Sequence, residues 1–336
     1  MIKSFFKLLS RCYGLALPYG RLRLFAVLGW ILFNGLLQLV GVTSVFPFFA
    51  LAADPERIRH SKLGVTLLGY LPPMSTNHLL AAAGVVAIVL LVVASIGNMA
   101  SEVFRIRYAY GFSHWLRGRL LRSYAARPYA FYLERNSSSL NQRVLDIRFF
   151  TEELLLPLGE VLTRIILILF LVGAVFLVQP LIALGALVIF GGFYAGSFAW
   201  LRPRTRKVSA KLQHHNVEFS RNTSQFLHGI KTVMVHGKSE HFISRALEHS
   251  GEIGNYQSRI PIYGNGPRYL VEPIAFGGLV AIVVVLALQG RPFSDILPNL
   301  SVMAFAGYRL LPSLQMMYTQ LVKIASNSYT LNQLEE

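Results

Sequence analysis

LLAAAGVVAIVLLVVASIGNMA runs from Leu79 to Ala100 without a charged residue, and SEVFRIRYAYGFSHWLRGRLLRSYAA follows from Ser101 to Ala126 without a proline. The first half is long enough to cross about 30 Å of hydrocarbon as a helix. The second half is charged, yet its apolar positions recur at helical spacing, and Arg, Leu, Tyr and Ala tolerate a helix well. No breaker separates the halves. The reading is one helix that crosses a bilayer and runs on into water.

The rest of the chain repeats this alternation. It is 54% hydrophobic and only 14% charged, with a mean hydropathy of +0.48, where a soluble domain carries roughly 25% charged residues. The net charge of +16 does not mark a nucleic-acid binder, because the basic residues fall in blocks between long apolar runs. Besides Leu79–Ala100, spans are expected at Leu24–Ala53, Leu154–Val178, Leu181–Leu201, Leu270–Leu288 and Ile296–Val322. The first is too long for a cleaved signal and lacks a small-residue cleavage site. A single cysteine, Cys12, excludes an internal disulfide.

Charge sets the expected orientation. Residues 1–23 carry five basic residues and no acid, 101–150 carry nine against three, and 202–260 carry ten against four. The remaining connections are nearly balanced. The positive-inside rule then places both termini and the two long segments in the cytoplasm. The fold class is an all-α membrane protein, with six transmembrane helices and long cytoplasmic extensions. Residues 1–23 form a cytoplasmic segment, 24–334 the six-helix domain, and 54–78 an external segment that starts a short helix at Pro55, capped by Asp54.

The two hairpin tips are expected at 136–147 and 237–247. Asn136 and the serines after it would cap a short helix from about Leu140, and Ser239 another through Leu247, with Glu240 in its first turn. The second tip contains HGKSE, whose Gly237-Lys238-Ser239 matches the end of a phosphate-binding loop. The full loop needs a glycine five positions before Gly237, and that residue is Thr232. It is not read as a nucleotide site. The six His residues between His214 and His249 have no compact ligand spacing, so no metal site is expected.

PRYLVEP (Pro267–Pro273), FAGYRLLPSLQMM (Phe305–Met317) and the terminal KIASNSYTLNQLEE, set in this architecture, resemble the transmembrane domain of an ATP-binding-cassette exporter (the type IV, or type 1 transmembrane-domain, fold). The resemblance covers nearly the whole chain and is closest to the lipid-linked oligosaccharide flippases. It implies that the hairpin tips are coupling helices docking on nucleotide-binding domains, with Leu140, Asn141, Lys238, Ser239 and Phe242 as the contacts. It implies a multi-pass protein of the bacterial inner membrane, and a second transmembrane half, as a homodimer, for a partner. ATP and magnesium would be held by an ATPase domain or subunit; the chain shows no Walker A loop in the right context and no LSGGQ-like signature, so it is not an enzyme by itself and binds no cofactor. A truncated gene or a fragment and a separately encoded ATPase are both compatible with that. So are export of another amphiphile or a peptide and a protein that transports nothing.

Charges inside spans are the candidate pathway residues. Arg309 sits deep in the sixth span with no acid within four residues, and an intramembrane arginine is costly unless it faces a cavity or a partner. In the resembled flippases the arginines matching Arg268 and Arg309 line the translocation path, where guanidinium forks suit a pyrophosphate. Arg268 also has Glu272 four residues on. Glu160 and Arg164 have the same spacing and read as a structural pair. Gly192 and Gly196 present a small-residue face for close packing, and Pro312 is expected to kink the sixth helix.

Overall fold

A computed structural model describes residues 10–44, 48, 76–133, 137–178, 180, 184–185, 187–288 and 293–327. The regular elements among them are all helical. α1 spans Arg21–Thr43, α2 Thr76–Ala125, and α3 is the single turn Ala130–Leu133. α4, Ser137–Phe150, passes through a π turn at Thr151–Leu155 into α5, Leu156–Val178. A second π turn at Leu187–Gly191 leads into α6, Gly192–His228, followed by the short α7, Ile230–Val235. α8 spans Ser239–Leu288 and α9 Phe293–Asn327.

α2 and α8 each contain 50 residues, about 75 Å at 1.5 Å per residue. A bilayer core takes about 20 residues, so more than half of each helix projects beyond it. Arg21–Gly41, His78–Ala125 and Leu140–Phe176 are long and apolar enough to cross a membrane. The expected fourth, fifth and sixth spans fall on α6, α8 and α9; the start of the fourth lies in part outside the described residues, as do several side chains of the other two. α1 ends at Thr43, and apart from Ser44 and Phe48 the rest of the expected first span lies outside the described residues. At the α1 terminus the Thr43 hydroxyl donates to the Leu39 carbonyl and the Ser44 hydroxyl to the Gly41 carbonyl, each at 2.8 Å. The Gly41 carbonyl is one that a helix end leaves open, and the Thr43 bond is the usual back-bond of a helical threonine to the residue four before it. Of the external segment 54–78, only 76–78 are described, already as the start of α2; the helix expected at Pro55 lies outside the described residues.

Both hairpin tips correct the sequence reading. Leu140 lies inside α4, which is continuous with α5, and Ser239 opens the 50-residue α8 rather than a short helix. Asn136 lies outside the described residues. The short helices at the tips are α3 and α7, several residues earlier in each hairpin. Gly237 shows why at the second tip. It adopts φ 64°, its N–H donates to the Met234 carbonyl, and the Lys238 N–H donates to the Val233 carbonyl, both at 3.1 Å. This is a Schellman closure, which needs the left-handed residue that glycine supplies without strain. The glycine of HGKSE is therefore a helix stop, and its backbone donors are already engaged.

Two cores hold the chain together. Cys12, Phe112, Phe150, Leu154, Leu158 and Ile324 form one, where the N-terminal segment meets α2, α4, α5 and α9. Tyr194, Phe198, Val271, Leu311, Leu314 and Tyr318 form the other, between α6, α8 and α9. α9 belongs to both and joins the α6–α8 hairpin to the rest. Prolines inside this assembly do not break it. α6 runs through Pro203, and α8 through Pro261, Pro267 and Pro273. Pro267 has no N–H for the Tyr263 carbonyl; the Tyr318 hydroxyl donates to that carbonyl instead, at 3.3 Å. The Gln315 amide and Thr319 hydroxyl bond the next carbonyl, Gly264, at 3.3 and 3.2 Å. Gly192 and Gly196, expected in a packed face, are open: a Cβ at either would meet nothing within 4 Å.

Candidate functional site

Pro157 organises the ground on which the site is built. Its missing N–H leaves the Glu153 carbonyl without the usual donor, and the helix widens to a π turn just before it. Such bulges recur at functional sites. Side chains from two other helices take carbonyls on either side. Lys323 of α9 donates to the Glu152 carbonyl at 3.2 Å, and Arg105 Nη1 of α2 donates to the Leu156 carbonyl at 3.3 Å. The Lys323 ammonium also lies 3.2 Å from the Glu153 carboxylate.

Beside this bulge the three helices line an open-sided cavity of about 530 Å³. It lies where the spans of α2, α5 and α9 meet their extensions. Arg105, Arg164 and Lys323 line it, and so do Glu102, Glu152 and Glu160. The uncharged lining includes Asn98, Thr163 and Gln320. Asn98 Oδ1 accepts from Gln38 Nε2 at 2.8 Å and from Asn34 Nδ2 at 3.2 Å, so α1 is tied to the same wall.

The charges alternate. Glu102 pairs with Arg105, Arg105 pairs with Glu160, and Glu160 accepts Arg164 Nε at 2.7 Å. The Arg105 and Glu160 side chains are 9% and 11% exposed. A buried carboxylate shared by two guanidinium groups is neutralised well enough to stay in a low-dielectric site. Arg164 is the open end of this chain. It lines the cavity, and among the described residues Nε is its one nitrogen with a partner, so the terminal fork is available to an incoming acceptor.

A family model for the ABC transporter transmembrane region matches residues 30–254. This chain belongs to that family. The all-helical ABC exporter transmembrane fold and its membrane-spanning helices follow from the same match and the architecture above, and the chain is a membrane component of a transporter.

Within this ABC transmembrane domain the sequence-derived candidates are not gathered in one place. Arg268 lies on the outer face of α8, its side chain 57% exposed, and holds the Glu272 carboxylate at 2.5 Å. Residue 309 sits on α9, with its side chain outside the described residues. The contacts of Tyr318 with Tyr263 and of Gln315 and Thr319 with Gly264 fix an antiparallel register, which puts residue 309 level with residue 272 and about one helical turn from Arg268. Glu160–Arg164 is paired as read, but its third member, Arg105, was missed. The local signal was Glu102, three residues before Arg105 on one helix face; the separation of 55 residues from Arg105 to Glu160 hid the rest.

The tip residues also sort differently. Leu140 is buried, and the Phe242 ring packs 6.2 Å from that of Phe226 inside the α6–α8 hairpin. Leu140 faces the interior of the chain, and Phe242 is half-buried. Asn141 and Lys238 are exposed, and Ser239 is partly so. The large apolar side chains exposed at the tips are Tyr129 and Leu133 beside and within α3, and Met234 and Val235 in α7. Among the described residues no three His, Cys, Asp or Glu side chains converge as a metal site.

Proposed function

We propose that this chain is the transmembrane half of an ATP-driven exporter that flips an amphiphile with a phosphorylated headgroup, such as a lipid-linked oligosaccharide, out of the cytoplasmic leaflet. The observation that carries this reading is the charged cavity between α2, α5 and α9, with the Arg164 fork unspent. Guanidinium matches phosphate oxygens through paired, charge-assisted hydrogen bonds. Arg309, deeper in the sixth span, supplies a second cation along the same helix that carries Lys323, and Arg268 a third, less committed one. The working unit is two such halves with two nucleotide-binding domains, which hold the ATP and magnesium. Those domains dock on α3 and α7, whose exposed Leu133, Met234 and Val235 need cover.

The test is reconstituted flipping of a pyrophosphate-linked lipid and of a neutral analogue, in a complex containing the ATPase. Arg164→Gln is expected to fold and insert, and to slow flipping of the charged lipid roughly tenfold or more, the value of a lost charge-assisted hydrogen bond. Equal slowing of both lipids assigns Arg164 to the conformational cycle, and unchanged flipping of the charged lipid removes it from the path. A second reading has a specific basis. Three carboxylates line the cavity beside its three cations, a balance that suits a zwitterionic amphiphile or peptide. Faster flipping of a zwitterionic lipid than of the pyrophosphate lipid would select it.

A further inference from the structure

The membrane-proximal part of the α6–α8 hairpin carries charge of one sign. No acidic residue occurs between Glu160 and Glu218, or between Glu252 and Glu272. In the same stretches α6 presents Arg202, Arg204, Arg206, Lys207 and Lys211, and α8 presents Arg259 and Arg268. Arg204, Arg206 and Lys207 are exposed. Glu272, on the membrane side of this group, is engaged by Arg268 at 2.5 Å.

Aromatic residues mark the level at which the group sits. Trp200 is 63% exposed and Tyr269 is 72% exposed. The Arg204 guanidinium stacks 3.7 Å from the centre of the Trp200 ring. Phe226 faces Phe242, and His215 lies against both His249 and Tyr256. That antiparallel register brings Trp200 level with Pro267–Tyr269. Two exposed aromatics at one level, with apolar helix on one side and cations on the other, are the composition of a membrane–water boundary. Arg204, Arg206 and Lys207 lie within about 10 Å of Trp200 along the helix, inside the reach of a charged lipid surface.

We infer that Trp200, Arg204, Arg206 and Lys207, with Arg259 on the facing helix, form a binding site for anionic phospholipid headgroups of the cytoplasmic leaflet. The indole lies among the acyl-chain ends and glycerol, and the guanidinium stacked on it reaches the phosphate. Stacking orients that fork and reduces the freedom it would lose on binding. An ATPase docked on α7 is too far to be the occupant: Ile230 is 23 residues beyond Lys207 on the sequence, about 35 Å of helix. The site rests on the membrane orientation proposed above, but not on the identity of the transported substrate.

The experiment is lipid binding to the purified full chain, read by native mass spectrometry with phosphatidylglycerol against phosphatidylcholine. Wild type is expected to retain phosphatidylglycerol in preference, and the preference is expected to fall as salt is raised from about 0.1 M to about 0.5 M. The combined change Arg204→Gln, Arg206→Gln, Lys207→Gln is expected to weaken phosphatidylglycerol binding by roughly a hundredfold. Replacing the two arginines by lysine is expected to keep most of it, and Lys231→Gln with Lys238→Gln at the distant tip to keep all of it. Inorganic phosphate is expected to displace little, because it lacks the apolar part that Trp200 covers. Equal retention of the two lipids by wild type, or an unchanged preference in the triple variant, overturns the proposal. So does loss of a second copy or of the ATPase from the triple variant with lipid preference intact, which assigns the patch to a protein partner. If the triple variant misfolds, Arg204→Gln alone and the salt series on wild type decide. A failed flipping assay leaves this binding measurement untouched, so the two readings fail separately.

Discussion

Glu160 is the residue on which the cavity wall depends. Its two oxygens are divided between Arg105 and Arg164, and Arg105 in turn reaches the Leu156 carbonyl beside the π turn. Glu160→Gln leaves two guanidinium groups facing one neutral amide. Breaking a buried pair from one side costs about 3–5 kcal/mol, so this variant is expected to lower the thermal unfolding temperature in detergent markedly. The Arg268–Glu272 ion pair is the contrasting case. With side chains 57% and 40% exposed, it is screened by solvent and adds little to stability, and Arg268→Gln is expected to leave the unfolding temperature nearly unchanged. A loss of stability from Arg268→Gln as large as that from Glu160→Gln would mean that the pair is buried in the working assembly. Gly237 makes a third case. Its φ of 64° costs any other residue about 1–2 kcal/mol, so Gly237→Ala is expected to fray the end of α7, seen as faster proteolysis between Met234 and Ser239.

At the scale of elements, the tips of the two hairpins carry the strongest consequence. Phe242 packs on Phe226, and Val235 is 78% exposed at the end of α7. Phe242→Asp is therefore expected to loosen the hairpin itself, lowering its helicity and unfolding temperature. Val235→Asp is expected to leave both unchanged and to reduce ATPase association or substrate-stimulated ATP turnover in the complex. Reversed outcomes would return the docking role to Phe242. The helices themselves were legible in the sequence, because long apolar runs followed by proline-poor amphipathic runs admit little else. Their punctuation was less so. Serine-rich stretches suggested caps at the tips, whereas the structure uses Gly237 and its backbone closure to stop a helix. α8 passes through Pro267, and the donor that its ring withholds from the Tyr263 carbonyl comes from Tyr318, 55 residues from that carbonyl, a contact that local sequence does not announce. The cavity was legible only as Glu160 and Arg164. Arg105 and Lys323 come from other helices, and their partners are set by packing at a distance, which local spacing does not encode.

Across the whole molecule the two hairpins are unequal. The extension formed by α2, α4 and the start of α5 is packed, with Ala109, Phe112, Ile147, Phe150 and Leu154 all buried. The N-terminal segment and the end of α9 supply that cover through Cys12, Ala16 and Ile324. The α6–α8 extension has almost none. From residue 210 to residue 262, Asn222 and Val233 are the buried positions among the described residues. The rods touch each other through Phe226–Phe242 and His215–His249–Tyr256, and join the body at the membrane level through α9. Local stability follows buried apolar contact, so such an arm opens at a lower free energy than the body. Amide hydrogen exchange on the isolated chain is accordingly expected to be fast over 210–262 and slow over 105–125 and 140–160. In the complex with its ATPase and a second half, exchange over 210–262 is expected to slow while the packed hairpin changes little, because a partner then covers the bare rods. Equal protection of the two hairpins in the isolated chain would show that a pair of helices this exposed is stable alone. Unchanged exchange over 210–262 in the complex would place the partner surface elsewhere and leave α6 and α8 as a spacer that holds α7 away from the membrane.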